Sequence, residues 1–325
     1  MDSKPKVYAR QVRLFYVPED RDGQRLDNFL ARHLKGVPRG AVYRLIRTGQ
    51  VRVNGGRAKP DRKLAAGDAV RIPPVTQPAS GEVTVSESVC RQVEAAIIYE
   101  DDDLIVIDKP SGMAVHAGSG LAWGLIDAVR KIRPNRSVEL AHRIDRETSG
   151  CLVLACNRET LIHLADQFRE GTVAKRYLCL LSGQLDAPVV EVDAAIAAER
   201  RDGEKHMAVG EEGKGAMTRF TRLEDYPAGC YAQAEILTGR THQIRVHARH
   251  IGAPLAGDRK YGREADNRFW RGQGLRRMFL HAAELDMTAR SGERLNFSAA
   301  LPLELRECLD RLAAGATGDF PTPKG

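Results

Sequence analysis

Residues 142–155 read HRIDRETSGCLVLA. One aspartate, Asp145, stands between Arg143 and Arg146, and a Thr-Ser-Gly turn leads from it into an apolar run. With its flanks, VELAHRIDRETSGCLVLACN (138–157) reads as strand, turn, strand. A carboxylate between two guanidinium groups is held ionised, and a turn between two apolar strands puts it at a sheet end, where sites are commonly built. The residues alone leave two readings open: a salt bridge that shapes the turn, or a charged group kept for chemistry.

Outward from this stretch the texture is mixed. AIIYEDDDLIVIDKPSGMAVH (96–116) reads as two strands around an acidic turn, followed by a Lys-Pro-Ser-Gly turn. RETLIHLADQF (158–168) carries Leu161, Leu164, Ala165 and Phe168 at helical spacing. AKRYLCLLSG (174–183), CYAQAEILTG (230–239) and MFLHAAELDM (278–287) read as strands. RTHQIRVHARHIG (240–252) is a short helix closed by Gly252, and PLELRECLDRLAA (302–314) opens a helix at Pro302. Many strands with few helices and no strict βαβ alternation predict an α+β domain with a mixed, largely antiparallel sheet.

The first quarter of the chain is different. Residues 21–72 hold thirteen Lys and Arg against four acids, a surplus of nine, whereas the whole chain has a net charge of +7. The rest is about neutral, so one small segment carries the basicity and suits a polyanion. In RLDNFLARHL (25–34), Leu26, Phe29, Leu30 and Leu34 mark one helix. PRGAVYRLIRTG (38–49) is a second, opened by Pro38 and closed by Gly49, with Val42, Leu45 and Ile46 on one face and Arg39, Arg44 and Arg47 roughly opposite. VRVNG (51–55) and DAVRI (68–72) read as short strands around turns at Asn54-Gly55 and Gly67-Asp68. The segment is either a solvated basic surface or a phosphate-binding module, and the concentration of charge favours the second. The expected division is an extension over 1–20, a basic domain over 21–74, a Pro/Ser/Thr/Val-rich linker over 75–94 and a second domain over 95–325.

Several chemistries find no support. No run of eighteen apolar residues spans a membrane, and the start lacks the apolar region of a signal peptide, so a cytoplasmic protein is expected. The six cysteines form no C-x-x-C pair and several sit in apolar runs, which predicts buried free thiols. There is no phosphate-binding G-x-x-x-x-G-K-[ST], since GEEGKGAMT (210–218) has the wrong spacing, no G-x-G-x-x-G and no G-x-S-x-G. His242, His247 and His250 are the best metal candidates, but they lack the glutamate-bearing i, i+4 pair, and Arg245 and Arg249 among them repel a cation. No metal is expected.

Two resemblances sharpen this reading. Residues 24–72 resemble the S-four type RNA-binding module. HRIDRETSG resembles the signature H-R-L-D-x-x-T-S-G of the A-type family of pseudouridine synthases, those of the large ribosomal subunit. YEDDDLIVIDKPSGMAVH (99–116), KRYLCLLSG (175–183), LTGRTHQIRVHARHIGAPLAGDRKYG (237–262) and FLHAAEL (279–285) resemble further motifs of that family, in family order. The resemblance runs from about residue 10 to 312. VHAGSG (115–120) is similar to the C-type branch, which modifies several uridines of large-subunit rRNA; Ala117 stands where the D-type branch typically has proline. Ala253, Gly215 and Cys179 depart from the usual histidine, proline and alanine.

The resemblance implies that a uridine's glycosidic bond breaks, the base rotates, and it rejoins through carbon 5, in 23S rRNA and without a cofactor. It implies that Asp145 is the nucleophile or base, that Arg245 is its cationic partner, and that Tyr177 stacks on the uracil. It assigns RNA contacts to Arg143, which holds the nucleotide out of its helix, to Arg240 and His242, and to Arg39, Arg44 and Arg47 of the basic module. A monomer acting on large-subunit rRNA is expected, with no membrane and no nucleotide cofactor. The rivals are a non-catalytic RNA-binding assembly factor, for which loss at Asp145, Tyr177 or Arg245 is expected, a D-type synthase, and a glycosidase-like hydrolase, which needs a second carboxylate as acid.

Overall fold

The computed structural model describes residues 6–8, 11–34, 37, 39–78, 85–117, 121–201 and 204–315. The chain divides into two compact units, Met1–Thr84 and Val85–Gly325. In the first, helices Leu26–His33 and Arg39–Arg47 accompany a three-stranded antiparallel sheet in the order Arg13–Tyr16, Ala69–Ile72, Arg52–Val53. Leu26, Phe29, Leu30 and Leu34 meet Val42, Ile46, Val53, Val70 and Ile72 in one core, as the helical spacing requires. Asn54 and Gly55 are both left-handed, with φ of 51° and 78°, which suits the tight turn read at that pair. Pro38 lies outside the described residues.

Two boundaries differ from the expectation. Arg13–Tyr16, inside the supposed extension, is an edge strand of the first unit's sheet. Glu87–Ala95, inside the supposed linker, is a helix of the second unit. Its start is capped by Ser86, whose Oγ accepts the Val89 N–H at 3.3 Å. Val85, Cys90 and Val93 are buried against Ile105, Ile107, Leu125 and Val129. Glu87, Arg91, Gln92, Glu94 and Ala95 are good helix formers, but the Pro/Ser/Thr/Val-rich residues before them made the whole stretch read as a linker.

The second unit is built on a ten-stranded sheet. Its main path runs Val189–Asp193, Met217–Tyr226, Gly229–Ile236, Ala174–Leu181, Leu280–Thr288, Ser149–Ala155, Leu104–Lys109, Ile97–Glu100. Every pairing is antiparallel except that of Leu280–Thr288 with Ser149–Ala155. The fold is therefore α+β with a mostly antiparallel sheet.

Ser149–Ala155 is buried along its whole length. Its alternation sends Leu152 and Leu154 into one core and Cys151, Val153 and Ala155 into another on the opposite face. Gly150 explains why the turn ends in glycine. Its φ is +108°, and a Cβ there would lie 2.2 Å from the Ala282 carbonyl oxygen, where the parallel pairing begins. All six cysteines are buried free thiols.

The helix at Glu87–Ala95 yields a direct test. A chain beginning at Val85 should fold, and one beginning at Ala96 should be markedly weaker. Exposing the partners of Val85 and Val93 alone costs about 3–6 kcal/mol at about 1.5–3 kcal/mol per buried valine. Equal urea midpoints for the two truncations would show that residues 85–95 are a linker after all.

Candidate active site

Residues 141–148 join Glu139–Leu140 to Ser149–Ala155 and carry Asp145. Three anchors fix this loop. His142 turns inward, stacks on Phe168 with ring centroids 4.5 Å apart, and accepts the Val153 backbone N–H at Nε2 (3.0 Å). Ile144 is buried in the core. The Lys-Pro-Ser-Gly turn grips the far side: Lys109 Nζ donates to the carbonyls of Pro110, Met113 and Arg146, at 2.7, 2.8 and 3.1 Å. Arg146 Nε donates to the Gly112 carbonyl at 2.8 Å. Ser111 Oγ donates to the Glu147 carbonyl at 2.7 Å. Lys109 is fully buried, and burial pushes it down to about 7. Its three contacts match the three N–H groups of an ammonium.

Asp145 is thereby held at the sheet end with 18% of its side chain exposed. It lines a cleft with Arg143, Tyr177, Ile236, Arg240, His242, Arg245 and Leu280. Tyr177 comes from Ala174–Leu181, where the pairing with Leu280–Thr288 shifts register between Arg176 and Tyr177, the irregularity that re-aims a side chain. The ring is buried, and burial, followed by the charge of Asp145, pushes the phenol pKa up. Tyr177 is a neutral phenol across the working range.

Arg245 and His242 come from Gln243–His250 and its first flanking residue. Arg245 Nη1 donates to Asp145 Oδ2 at 3.3 Å. The sequence reading made Asp145 its matched partner, but the fork of the guanidinium faces elsewhere. Nε and Nη2 donate to the two oxygens of Asp258 at 2.7 and 2.8 Å. Burial alone would lower Arg245; the hydrogen bonds and charge of Asp258, with Asp145, outweigh it and leave the group raised. Burial would raise Asp258, and Arg245 outweighs it and holds the carboxyl low. Tyr261 covers the guanidinium, with its ring centre 4.9 Å from the central carbon. Its hydroxyl lies 2.7 Å from His242 Nδ1. His242 is left-handed, with φ of 57°, and its Nε2 is 3.9 Å from Asp145 Oδ2.

The structure thus brings Asp145, Tyr177, Arg245, Arg143, Arg240 and His242 to one cleft. Arg240 is exposed, and its Nε donates to the carbonyl of Gly215 at 2.9 Å. Asp258 and Tyr261 were not singled out, although both lie in the quoted GDRKYG. His247 is buried between Thr218 and the Ala194 carbonyl and His250 is exposed, so the three histidines do not converge. Among the described residues no group of three or more metal-ligating side chains is arranged to hold an ion. In the first unit, Arg44 and Arg47 line a groove with Tyr43, Arg57 and Lys59. Arg39 opens the same helix, and its side chain lies outside the described residues.

The cleft sets Asp145 and Tyr177 together at a sheet end, in a chain with a separate basic module, and comparison with known proteins gives the class. The RNA pseudouridylate synthase family model matches residues 103–250, and the S4 domain model matches residues 24–70. The fold is similar to that of human RNA pseudouridylate synthase domain containing 4, with a TM-score of 0.58 and 24% identity over 70% of this chain and 96% of that one. Human RNA pseudouridylate synthase domain containing 1 aligns with a TM-score of 0.56 and 27% identity over the same shares. Ribosomal large subunit pseudouridine synthase C of Escherichia coli (strain K12) is 44% identical over 314 residues, covering 94% of this chain and 98% of the relative. That of Haemophilus influenzae is 43% identical over 312 residues, covering 94% and 97%. The chain belongs to the RNA pseudouridine synthase family, in the branch of these C-type relatives, and carries an S4 domain at its N-terminus.

His142 makes the loop's anchorage pH-dependent. Burial, with Lys175 nearby, lowers it to about 3, against about 6.5 when unfolded. The unfolded chain therefore binds the extra proton first, and the stabilisation is complete above about 6.5 and is lost as pH falls towards about 3. His142→Gln, which keeps an acceptor but cannot titrate, should be less stable than wild type at pH 7. The gap should close between pH 6 and 4 in urea titrations. A gap constant over that range would contradict a buried neutral imidazole.

Proposed function

We propose that this chain isomerises particular uridines of 23S rRNA to pseudouridine, with Asp145 as the catalytic carboxylate. The large-subunit substrate is the one for which the C-type relatives are named. The observation that carries the reading is the half-buried Asp145, bonded at Oδ2 to Arg245 and facing the same cleft as Tyr177. Oδ1 takes no bond from the described residues and is available to the ribose.

The chemistry balances without an outside oxidant or cofactor. The bond from N1 to C1′ breaks, and Asp145 either attacks C1′ or takes the proton of the neighbouring ribose carbon. The freed uracil turns, and C5 bonds to C1′ as the Asp145–C1′ bond breaks or, on the second route, as Asp145 returns its proton to the ribose carbon; the C5 proton then leaves, and N1 ends protonated. Tyr177 stacks on the base and keeps it in the cleft during the turn. Arg143, at the exposed rim, fills the space left by the flipped nucleotide, and Arg240 and His242 contact its backbone. Flipping costs a few kcal/mol, which the phosphate contacts of Arg39, Arg44 and Arg47 in the S4 domain offset. These contacts set where the enzyme lands rather than which base reacts. The enzyme acts as a monomer in the cytoplasm.

A hydrolase needs a second carboxylate that can act as an acid. The neighbouring one, Asp258, is fully enclosed and spent on Arg245 and on the backbone N–H groups of Lys260 and Tyr261. It cannot give a proton to a leaving group.

Asp145→Asn keeps the shape and removes the nucleophile or base. Single-turnover conversion of an unmodified large-subunit rRNA transcript should fall at least ~1000-fold, of the order lost with an essential catalytic group, while RNA affinity stays within threefold. Conversion within tenfold of wild type would sink the assignment.

A further inference from the structure

We propose that Asp258 is the positioning residue of this site: by taking the fork of Arg245 it limits Asp145 to a single, longer contact and so keeps one carboxylate oxygen free to react. The inference rests on the reading of Asp145 as the catalytic carboxylate and adds a residue to it.

An arginine binds a carboxylate most strongly through two parallel N–H groups. Of the two edges that can do this, Nε with Nη2 belongs to Asp258, which fixes how the remaining end of the guanidinium meets Asp145. Only Nη1 reaches Asp145, at 3.3 Å against 2.7 and 2.8 Å for Asp258. Asp258 cannot turn away. Its Oδ1 also accepts the N–H groups of Lys260 and Tyr261 at 2.8 and 3.0 Å. Its carbonyl accepts Asn267 Nδ2 at 2.9 Å and the Gly262 N–H at 3.0 Å. A Cβ at Gly262 would stand 2.4 Å from that carbonyl oxygen, so the loop closes only around glycine. With Tyr261 over its face, the guanidinium has its Nη1–Nη2 end left for the cleft, and held in this orientation it bonds Asp145 through Nη1 alone.

The alternative arrangement shows what this achieves. If the fork lay on Asp145, both of its oxygens would be bonded and its charge cancelled by a full ion pair. With the fork on Asp258, the charges of Arg245 and Asp258 cancel, and Asp145 keeps its net negative charge in the cleft. That charge faces the ribose carbon, which becomes electron-poor as the bond to N1 breaks. Asp258 touches no substrate atom and acts through Arg245.

The test uses full-length protein and an unmodified large-subunit rRNA transcript. Single-turnover rate at saturating RNA, RNA affinity and thermal melting are measured for wild type, Asp258→Asn, Arg245→Lys, the double variant and Asp145→Asn. Asp258→Asn should lose about 100-fold in rate, the scale of a lost oriented group in a charged site, with RNA affinity within threefold. Arg245→Lys should lose a similar factor, because an ammonium lacks the rigid parallel fork that Asp258 holds. The double variant should be no worse than the poorer single within threefold, since both break one unit. A folded Asp258→Asn within threefold of wild type, or losses that multiply, overturns the proposal. If Asp258→Asn does not fold, Arg245→Lys decides: activity within threefold of wild type would mean that one donor to Asp145 suffices without the fork, and the proposal falls. An active Asp145→Asn is a separate failure, that of the reading of Asp145 itself.

Discussion

Arg245 is buried, with 8% of its side chain exposed, between the enclosed carboxylate of Asp258 and the half-open one of Asp145. Taking a guanidinium and a carboxylate out of water costs several kcal/mol per ion and is recovered only with good geometry and further hydrogen bonds. Asp258 supplies both. The rest of the site follows from where this pair must stand. Gln243–His250 brings Arg245 to the cleft, the loop that follows returns Asp258 to it, and Tyr261, three residues on, closes over the guanidinium. Asp145 approaches from the opposite side, on a loop that His142, Ile144 and Lys109 fix to the central strand. Few of these side chains can move without uncovering a buried charge.

The sheet explains why residues a hundred positions apart meet. Ser149–Ala155 is buried on both faces and is the one strand paired in parallel with Leu280–Thr288, so its start lies beside the strand that follows the Asp258 loop. Gly150 permits the close approach there, and the Asp145 turn lies immediately before it. Tyr177 enters from the neighbouring strand at a register shift. The parallel joint and the bulge together aim three segments at one cleft.

Much of this was legible in the residues. The apolar run after Thr-Ser-Gly marked the central strand and helical spacing marked the S4 core, whereas Asp145 stood out through the family resemblance, since its neighbour Arg146 bonds the Gly112 carbonyl instead. Other features were hidden for physical reasons. Glu87–Ala95 follows a Pro/Ser/Thr/Val-rich stretch that hides its start, and its burial against Ile105 and Leu125 is a tertiary fact. Arg13–Tyr16 is only four residues long, with Leu14 and Tyr16 exposed, so alternation there does not mark a core face. Asp258 was overlooked because its signal is a partner rather than a pattern: a short-range motif does not reveal which of two aspartates receives an arginine's fork.

The central claim is that the cleft around Asp145 makes pseudouridine in large-subunit rRNA. The most direct measurement maps pseudouridine along rRNA from cells lacking this chain, then from the same cells given back the wild-type gene or the Asp145→Asn gene. The account predicts that a small set of large-subunit uridines stays unmodified in the deletion strain, returns with the wild-type gene and does not return with Asp145→Asn. An unchanged map in the deletion strain, or restoration by Asp145→Asn, would contradict it.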